Sequence, residues 1–272
     1  MKQPLCVITN NPQEVFQRNV IEGVKAAAVS RGYDVVVVTV PERRIPEQSF
    51  DGMAGLLVIA NPVPDEFLRH LYSGTWIPIS LVSHWIADLP FPAVSPNNTQ
   101  GIALLVEHLV VHCQRRRLVY IQGDMEQNDG IQRDAAFRQE MMRYNLHLPL
   151  DFILRGDFIP SVAAKSLSAL IERRTDFDGI VASDYLMALS AIDVLKQAGL
   201  RVPEEVSVVG FGSGPEADAS GLTNVAADVA ELGRRAARQL IGQVEGLRIR
   251  GLTLLSAELV ERATSCRVVP TR

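Results

Sequence analysis

The chain has 272 residues, enough for one large or two medium domains whose core closes without disulfide or metal staples. Apolar residues make up 47% and charged residues 21%, the balance of a globular protein rather than a disordered or fibrous one. A net charge of −4 with no basic tail offers no electrostatic footprint for nucleic acid. The longest apolar runs fall short of the roughly 20 residues that span a bilayer. Cys6, Cys113 and Cys266 are far apart with no CxxC, which fits a reducing compartment and argues against a disulfide framework or a zinc knuckle. Met-Lys-Gln-Pro leads directly into LCVIT with no leader-like apolar region, so a cytoplasmic location is expected.

Taken in order, residues 4–10 read as a buried strand. Gln13 to Arg31 reads as a helix stopped by Gly32. YDVVVVTV at 33–40 is β-branched throughout and predicts a strand buried on both faces. PERRIPEQSFDG is a loop or short helix. A third strand is expected at 55–61, a helix at 65–74 and a fourth strand at 77–83. HWIADLPFPAVSPNN bridges onward to an apolar helix at 99–113. A second series begins with a strand at 117–124, then a helix from Gln132 to Tyr144 and a strand at 152–158. A helix over 160–174, a strand at 179–184 and a helix at 185–198 follow. The chain closes with a strand at 205–211, a helix at 228–245 and the extended piece LTLLSAELVER. Strand–helix alternation occurring twice, each time in about half the chain, predicts two doubly wound Rossmann-like α/β lobes with parallel sheets and a ligand crevice at the strand ends.

Several blocks, in order, resemble the ligand-binding core of lactose-repressor-type (LacI/GalR) transcription regulators. They are Pro96-Asn97-Asn98-x-x-Gly101 followed by HLVVHCQRRRLVYIQG, then Arg133 in IQRDAAF, then Asp184-x-x-Met187-Ala188, then GLRVPEEVSVVGF, GLTNV and ELGRRAARQLI. The resemblance runs from Leu5 to about Cys266. It implies a periplasmic-binding-protein-like type I fold, with lobes of 1–114 plus 228–250 and 115–227 plus 251–272. It also implies a homodimer and a small polar effector (sugar, nucleobase or small acid) held between the lobes, with no cofactor. DNA contact would need a helix-turn-helix, which this sequence does not contain. The same core could instead serve a sensor joined to a cyclase or kinase, or a transport-type solute-binding protein, against which the absent leader weighs.

Asn10, Asn11 and Phe16 follow the first strand, where a two-lobed binder places cleft residues. The asparagines suit a helix cap equally well. By resemblance, Asn98 faces the ligand, Arg133 projects a planar fork suited to carboxylate, phosphate or paired hydroxyls, and Phe158 stacks on the ligand. The competing role for Arg133 is a surface ion pair with Asp129 or Asp134. Ser183 stands where many members carry a longer Asn, and Asp184 caps the next helix. Gly212 and Ser213 occupy the turn in which members usually carry an acidic residue that holds ligand hydroxyls. Its loss removes charge-assisted acceptors for a sugar.

No catalytic constellation is complete. GFGSGPE is neither GxGxxG nor GxxxxGK[ST], and Ser213 is one place late for GxSxG. His108 and His112 share i,i+4 spacing, but Glu107 precedes the first histidine instead of following it, so packing or surface histidines are expected. Cys113 has no His or Asn placed by sequence to activate it. Arg115, Arg116 and Arg117 read as solvated surface.

Overall fold

The computed structural model describes residues 2–41, 44–45, 49–74, 77–174 and 176–266. In chain order the strands and helices are β1 (Leu5–Thr9), α1 (Val15–Val29), β2 (Val35–Thr39), β3 (Gly55–Ile59), α2 (Asp65–Gly74), β4 (Ile79–Val82), β5 (Pro92–Pro96) and α3 (Asn98–Glu107). A π-helical turn over His108–His112 leads to β6 (Leu118–Ile121) and α4 (Asn128–Arg143). A 3-10 turn precedes β7 (Ile153–Leu154), followed by α5 (Pro160–Ile171), β8 (Gly179–Ala182), α6 (Tyr185–Gln197), β9 (Ser207–Phe211), α7 (Pro215–Ser220), β10 (Thr223–Ala226), α8 (Val229–Val244), β11 (Gly251–Leu255) and β12 (Glu258–Val260). The described residues contain no helix long and apolar enough to cross a membrane.

The chain divides into two compact units. The first runs to Pro96 and resumes over Asp228–Leu255; the second comprises Asn97–Ala227 and the chain from Ser256 onward. In the first, six strands lie in the order β11-β5-β4-β3-β1-β2 and every pairing is parallel. In the second, the order is β12-β10-β9-β8-β6-β7, parallel apart from the β10–β12 pair. The first crossing falls at Pro96–Asn97 rather than near 114, because α3 packs on α4 and belongs to the second unit. The closing segment, expected as one extended piece, is two strands. β11 completes the first sheet beside β5 and β12 completes the second beside β10.

Central strands are buried from end to end, as β-branched runs covered on both faces should be. β2 departs from its expectation. Despite the sequence VVVVT it is only partly buried, because it is the outermost strand of its sheet. β5 lies in the stretch expected to be a bridge. Its bounding residues Pro92 and Pro96 masked a fully buried strand. α7 and β10 likewise arise where only a glycine-rich turn and a sequence motif were apparent. The strand expected at 152–158 shrinks to β7, and the helix expected from Gln132 begins at Asn128. Of the loop expected at 41–52, residues 42–43 and 46–48 lie outside the described set, and no helix occurs in the described remainder.

Cys113 and Cys266, expected as separate thiols, form a disulfide with Cα atoms 5.3 Å apart. Sequence separation hides this proximity. The closing segment returns beside β9, where Val208 N donates to Thr264 O and Thr264 Oγ1 donates to Val208 O, both at 2.7 Å. Cys6, in β1, is free and buried, and desolvation pushes its thiol up to about 11.

α1 and α8 cross in the first unit through glycines. A Cβ on Gly23 would lie 2.0 Å from Ala230 O, and one on Gly233 would lie 2.1 Å from Val20 O. Backbone approaches backbone here, so neither side can yield by turning a side chain. In an open helix Gly→Ala gains about 0.5–1 kcal/mol, whereas overpacking costs about 1–3 kcal/mol. The steric term wins. Gly23→Ala is expected to destabilise the protein by about 1–3 kcal/mol in urea unfolding, and a stabilised variant would show that the helices separate freely.

Candidate functional site

Each sheet has the flavodoxin-like order 2-1-3-4-5 with one strand added, which reading from the β2 and β7 edges gives β2-β1-β3-β4-β5 and β7-β6-β8-β9-β10. In this order the connections leaving two neighbouring strands pass to opposite faces. A crevice opens between them at the strands' carboxyl ends. The switch lies between β1 and β3 in the first unit and between β6 and β8 in the second.

At the second switch point stands Arg133, on α4 and only 7% exposed. Its Nε donates to Asn98 Oδ1 at 2.8 Å, Nη1 to the Ser183 carbonyl at 2.7 Å and Nη2 to Asp129 Oδ2 at 3.2 Å. Asn98 Nδ2 donates in turn to Asp129 Oδ1 and Gln132 Oε1, both at 2.8 Å. The guanidinium lies over the Phe211 ring, 3.8 Å from its centroid, with Phe158 at 5.7 Å. These contacts join α3, α4 and the ends of β8 and β9 around one cation. The surface ion pair weighed for Arg133 is instead a buried one with Asp129, and Asp134 pairs with Arg138.

Glycines make room for this arrangement. A Cβ on Gly101 would lie 2.3 Å from the Phe211 ring, and one on Gly123 would lie 2.2 Å from Phe158. A Cβ on Gly130 would meet Asp124 O at 2.0 Å, so α4 can begin tight against the loop after β6. Asp157 and Phe158 both adopt left-handed backbone, with φ of 54° and 59°. Two adjacent non-glycine residues in that region store strain of the kind that collects at functional sites. The sequence had placed Phe158 on a strand; it lies beyond β7.

Ser183 is fully buried and contributes its carbonyl to Arg133. Its side chain lies beside Tyr120, whose phenol burial pushes up while the Ser183 hydroxyl and Arg133 pull it down. Asp184 caps α6, accepting from Leu186 N at 2.8 Å and Met187 N at 3.2 Å. Gly212 has φ +90°. Its N–H donates to Val225 O and its carbonyl accepts from Asn224 Nδ2, both at 2.7 Å. Ser213 follows it, half-buried.

In the first unit, Asn10 and Asn11 are exposed and Phe16 is half-buried. Neither asparagine caps α1. Glu14 does, accepting from Phe16 N at 2.8 Å and Gln17 N at 3.0 Å. Buried Gln17 ties the corner together: Nε2 donates to Asn10 Oδ1 at 2.8 Å, while Oε1 accepts from Thr9 Oγ1 and from Asn11 N. Further along the same strand ends, buried His84 meets Asp65 at 2.9 Å. That hydrogen bond leads the causes holding the Asp65 carboxyl below its usual range.

Gln17, His84, Asp129, Gln132 and Phe211 were not singled out as site residues. Gln17 shares the buried stripe of Val20, Ile21, Val24 and Ala28, so a polar residue at that phase was a usable signal. His84 sits in an aperiodic bridge and offered none. The His108 and His112 rings lie with their centroids 5.8 Å apart. His108 is buried and His112 exposed, and burial holds the His108 imidazole below its ordinary range. Cys113, expected to lack a histidine partner, has His108 Nε2 at 3.5 Å.

Residues 106–265 match the model of the periplasmic binding protein-like domain, and the chain belongs to that family. Within it, the chain is a LacI-type effector-binding core. It is 24% identical over 266 residues to the HTH-type transcriptional repressor PurR of Klebsiella pneumoniae (strain 342), covering 94% of this chain and 78% of that one. Its fold matches the transcriptional regulator CelR–cellobiose complex with a TM-score of 0.85 at 22% identity, covering 97% and 85% of the two chains. It also matches the lac repressor dimer bound to operator and the anti-inducer ONPF with a TM-score of 0.83 at 19% identity, covering 97% and 94%.

Removing one member of a buried pair strands the other. Arg133→Met leaves the Asp129 carboxylate buried without its cation and is expected to cost about 3–5 kcal/mol. Adding Asp129→Asn should recover part of that loss. Urea unfolding of both single variants and the double variant measures the coupling, and a loss below about 1 kcal/mol for Arg133→Met would mean that water takes the place of the guanidinium.

Proposed function

We propose that this chain is the effector-binding and dimerisation core of a LacI-type transcriptional regulator. It acts in the cytoplasm as a homodimer and controls DNA through a helix-turn-helix carried elsewhere in the gene product. A small polar effector binds between the lobes built on the two sheets. The observation that carries this reading is the Arg133 cluster at the switch point of the second sheet, where this topology places ligands. Its relatives are regulators by name.

The cluster also bears on the effector. The three bonds described engage three of the five guanidinium donors, leaving two for a ligand acceptor. Phe158 supplies an aromatic face beside them. The turn Gly212-Ser213-Gly214 supplies no carboxylate. With the Asp129 oxygens already taken by Arg133 and Asn98 and no carboxylate in the turn, the remaining donors and the ring favour a planar, acceptor-bearing effector over a plain sugar. Control by the effector requires different affinities for two arrangements of the lobes. Reversing a 1:99 population needs about 10⁴-fold, or about 5.5 kcal/mol.

A thermal-shift panel of nucleobases, small carboxylic acids and sugars tests the reading. A true effector at 100 times its Kd stabilises the fold by about 2.7 kcal/mol. Phe158→Ala should weaken calorimetric binding of that compound by about tenfold, the loss of a stacked ring of about 1.4 kcal/mol. Unchanged affinity would remove Phe158 from the site.

A further inference from the structure

Away from the Arg133 cluster, two anchored segments of the second unit meet at His108. The π-helical turn donates Cys113 N to His108 O at 3.0 Å, so the five-residue spacing folds Cys113 back beneath the imidazole. Short π segments of this kind recur at functional sites. The closing segment brings Cys266 to the same point. It is pinned to β9 by Thr264 and by the Ser207 hydroxyl donating to Ser265 O. His108 Nε2, Cys113 Sγ and Cys266 Sγ all lie within 4.8 Å of one another.

The imidazole is 1% exposed and its Nδ1 is buried without a hydrogen-bond partner among the described residues. Nδ1 faces Glu261 Oε1 at 3.9 Å, while Nε2 faces Cys113 Sγ at 3.5 Å and the Ser265 hydroxyl at 2.8 Å. The two nitrogens are thus divided between a carboxylate on one side and the sulfurs on the other. Metal-binding histidines use this division, with one nitrogen on the ion and the other donating to an outer carboxylate. With zinc bonds of about 2.3 Å to sulfur and about 2.1 Å to nitrogen, a tetrahedral N···S edge is about 3.6 Å. The observed 3.5 Å already matches it.

We propose that His108, Cys113 and Cys266 form a thiolate–imidazole site for a zinc-like divalent cation once the disulfide is reduced. The ligands are His108 Nε2 and the two sulfurs. Nδ1 keeps its proton and faces the Glu261 carboxylate 3.9 Å away, and the fourth position is open to the Ser265 hydroxyl or to water. A dithiol reductant delivers two electrons and two protons to the disulfide and is itself oxidised to a disulfide. The S–S bond breaks to give two thiols. The cation then displaces both thiol protons to solvent. Metal and disulfide are mutually exclusive because they use the same two sulfurs. The site is therefore open to the cation only in the reduced protein.

The test is cobalt(II) titration of the full chain, fully reduced with a phosphine and then assayed without oxygen. The expected result is one equivalent bound, with near-ultraviolet thiolate-to-cobalt charge transfer and the intense visible bands of tetrahedral cobalt, both erased by zinc. Cys113→Ser and Cys266→Ser should each lose the charge-transfer band, and the air-oxidised protein should show none. Should His108→Gln fail to fold, Glu261→Gln alters a half-exposed outer residue instead and should weaken cobalt binding about 10–100-fold. Absence of charge transfer in the reduced wild-type chain, or its survival in Cys266→Ser, overturns the proposal.

Discussion

A parallel sheet covered on both faces can bind ligands only at its ends, and strand order decides where along the end. In both sheets of this protein the second strand in sequence takes the outer position beside the first, while the third lies on the first strand's other side. The chain must therefore leave β1 and β3, and again β6 and β8, towards opposite faces. The gap this leaves is fixed by topology before any side chain is chosen. One cluster of the second unit is arranged around such a gap: the buried cation, its three oxygen partners, two rings and the glycines that admit those rings. The chemistry is local, but its address is set by the order in which strands were added.

The cation at that address is held by desolvated partners. A guanidinium in low dielectric is tolerated only when its charge and its donors are matched. Asp129 balances the charge, Asn98 and the Ser183 carbonyl take up donors, and Phe211 covers one face. These partners come from four separate stretches of chain. Arg133 is thus a fastener of its own unit, and the residue proposed to meet the effector is one on which folding also depends.

Much of the fold was legible because its signals are periodic. Buried apolar runs marked β1, β3, β8 and β9, and α6 and α8 start at the capping residues Asp184 and Asp228. What escaped was non-local or masked. β5 carries prolines at both ends, and Pro92 can sit there because the first residue of a strand need not donate to the ladder. The outer position of β2 depends on sheet order, which its valines cannot express. The Cys113–Cys266 bond closes over 153 residues of chain, a distance at which spacing carries no information. Arg133 was recognisable as important, yet its burial was not, because an i,i+4 Asp–Arg pair looks the same on a wet helix face as on a dry one.

The turn at Gly212 limits which residues the end of β9 can carry. Its backbone lies at φ +90°, held from both sides by Val225 O and the Asn224 side chain. A residue with a Cβ is strained there, and the added atom would press on Tyr185 at 3.3 Å. Placing a side chain at that corner therefore opposes the hydrogen bonds that fix the glycine conformation. The corner is thus held as bare backbone, open to a side chain only if the β10 contacts that pin it rearrange as well.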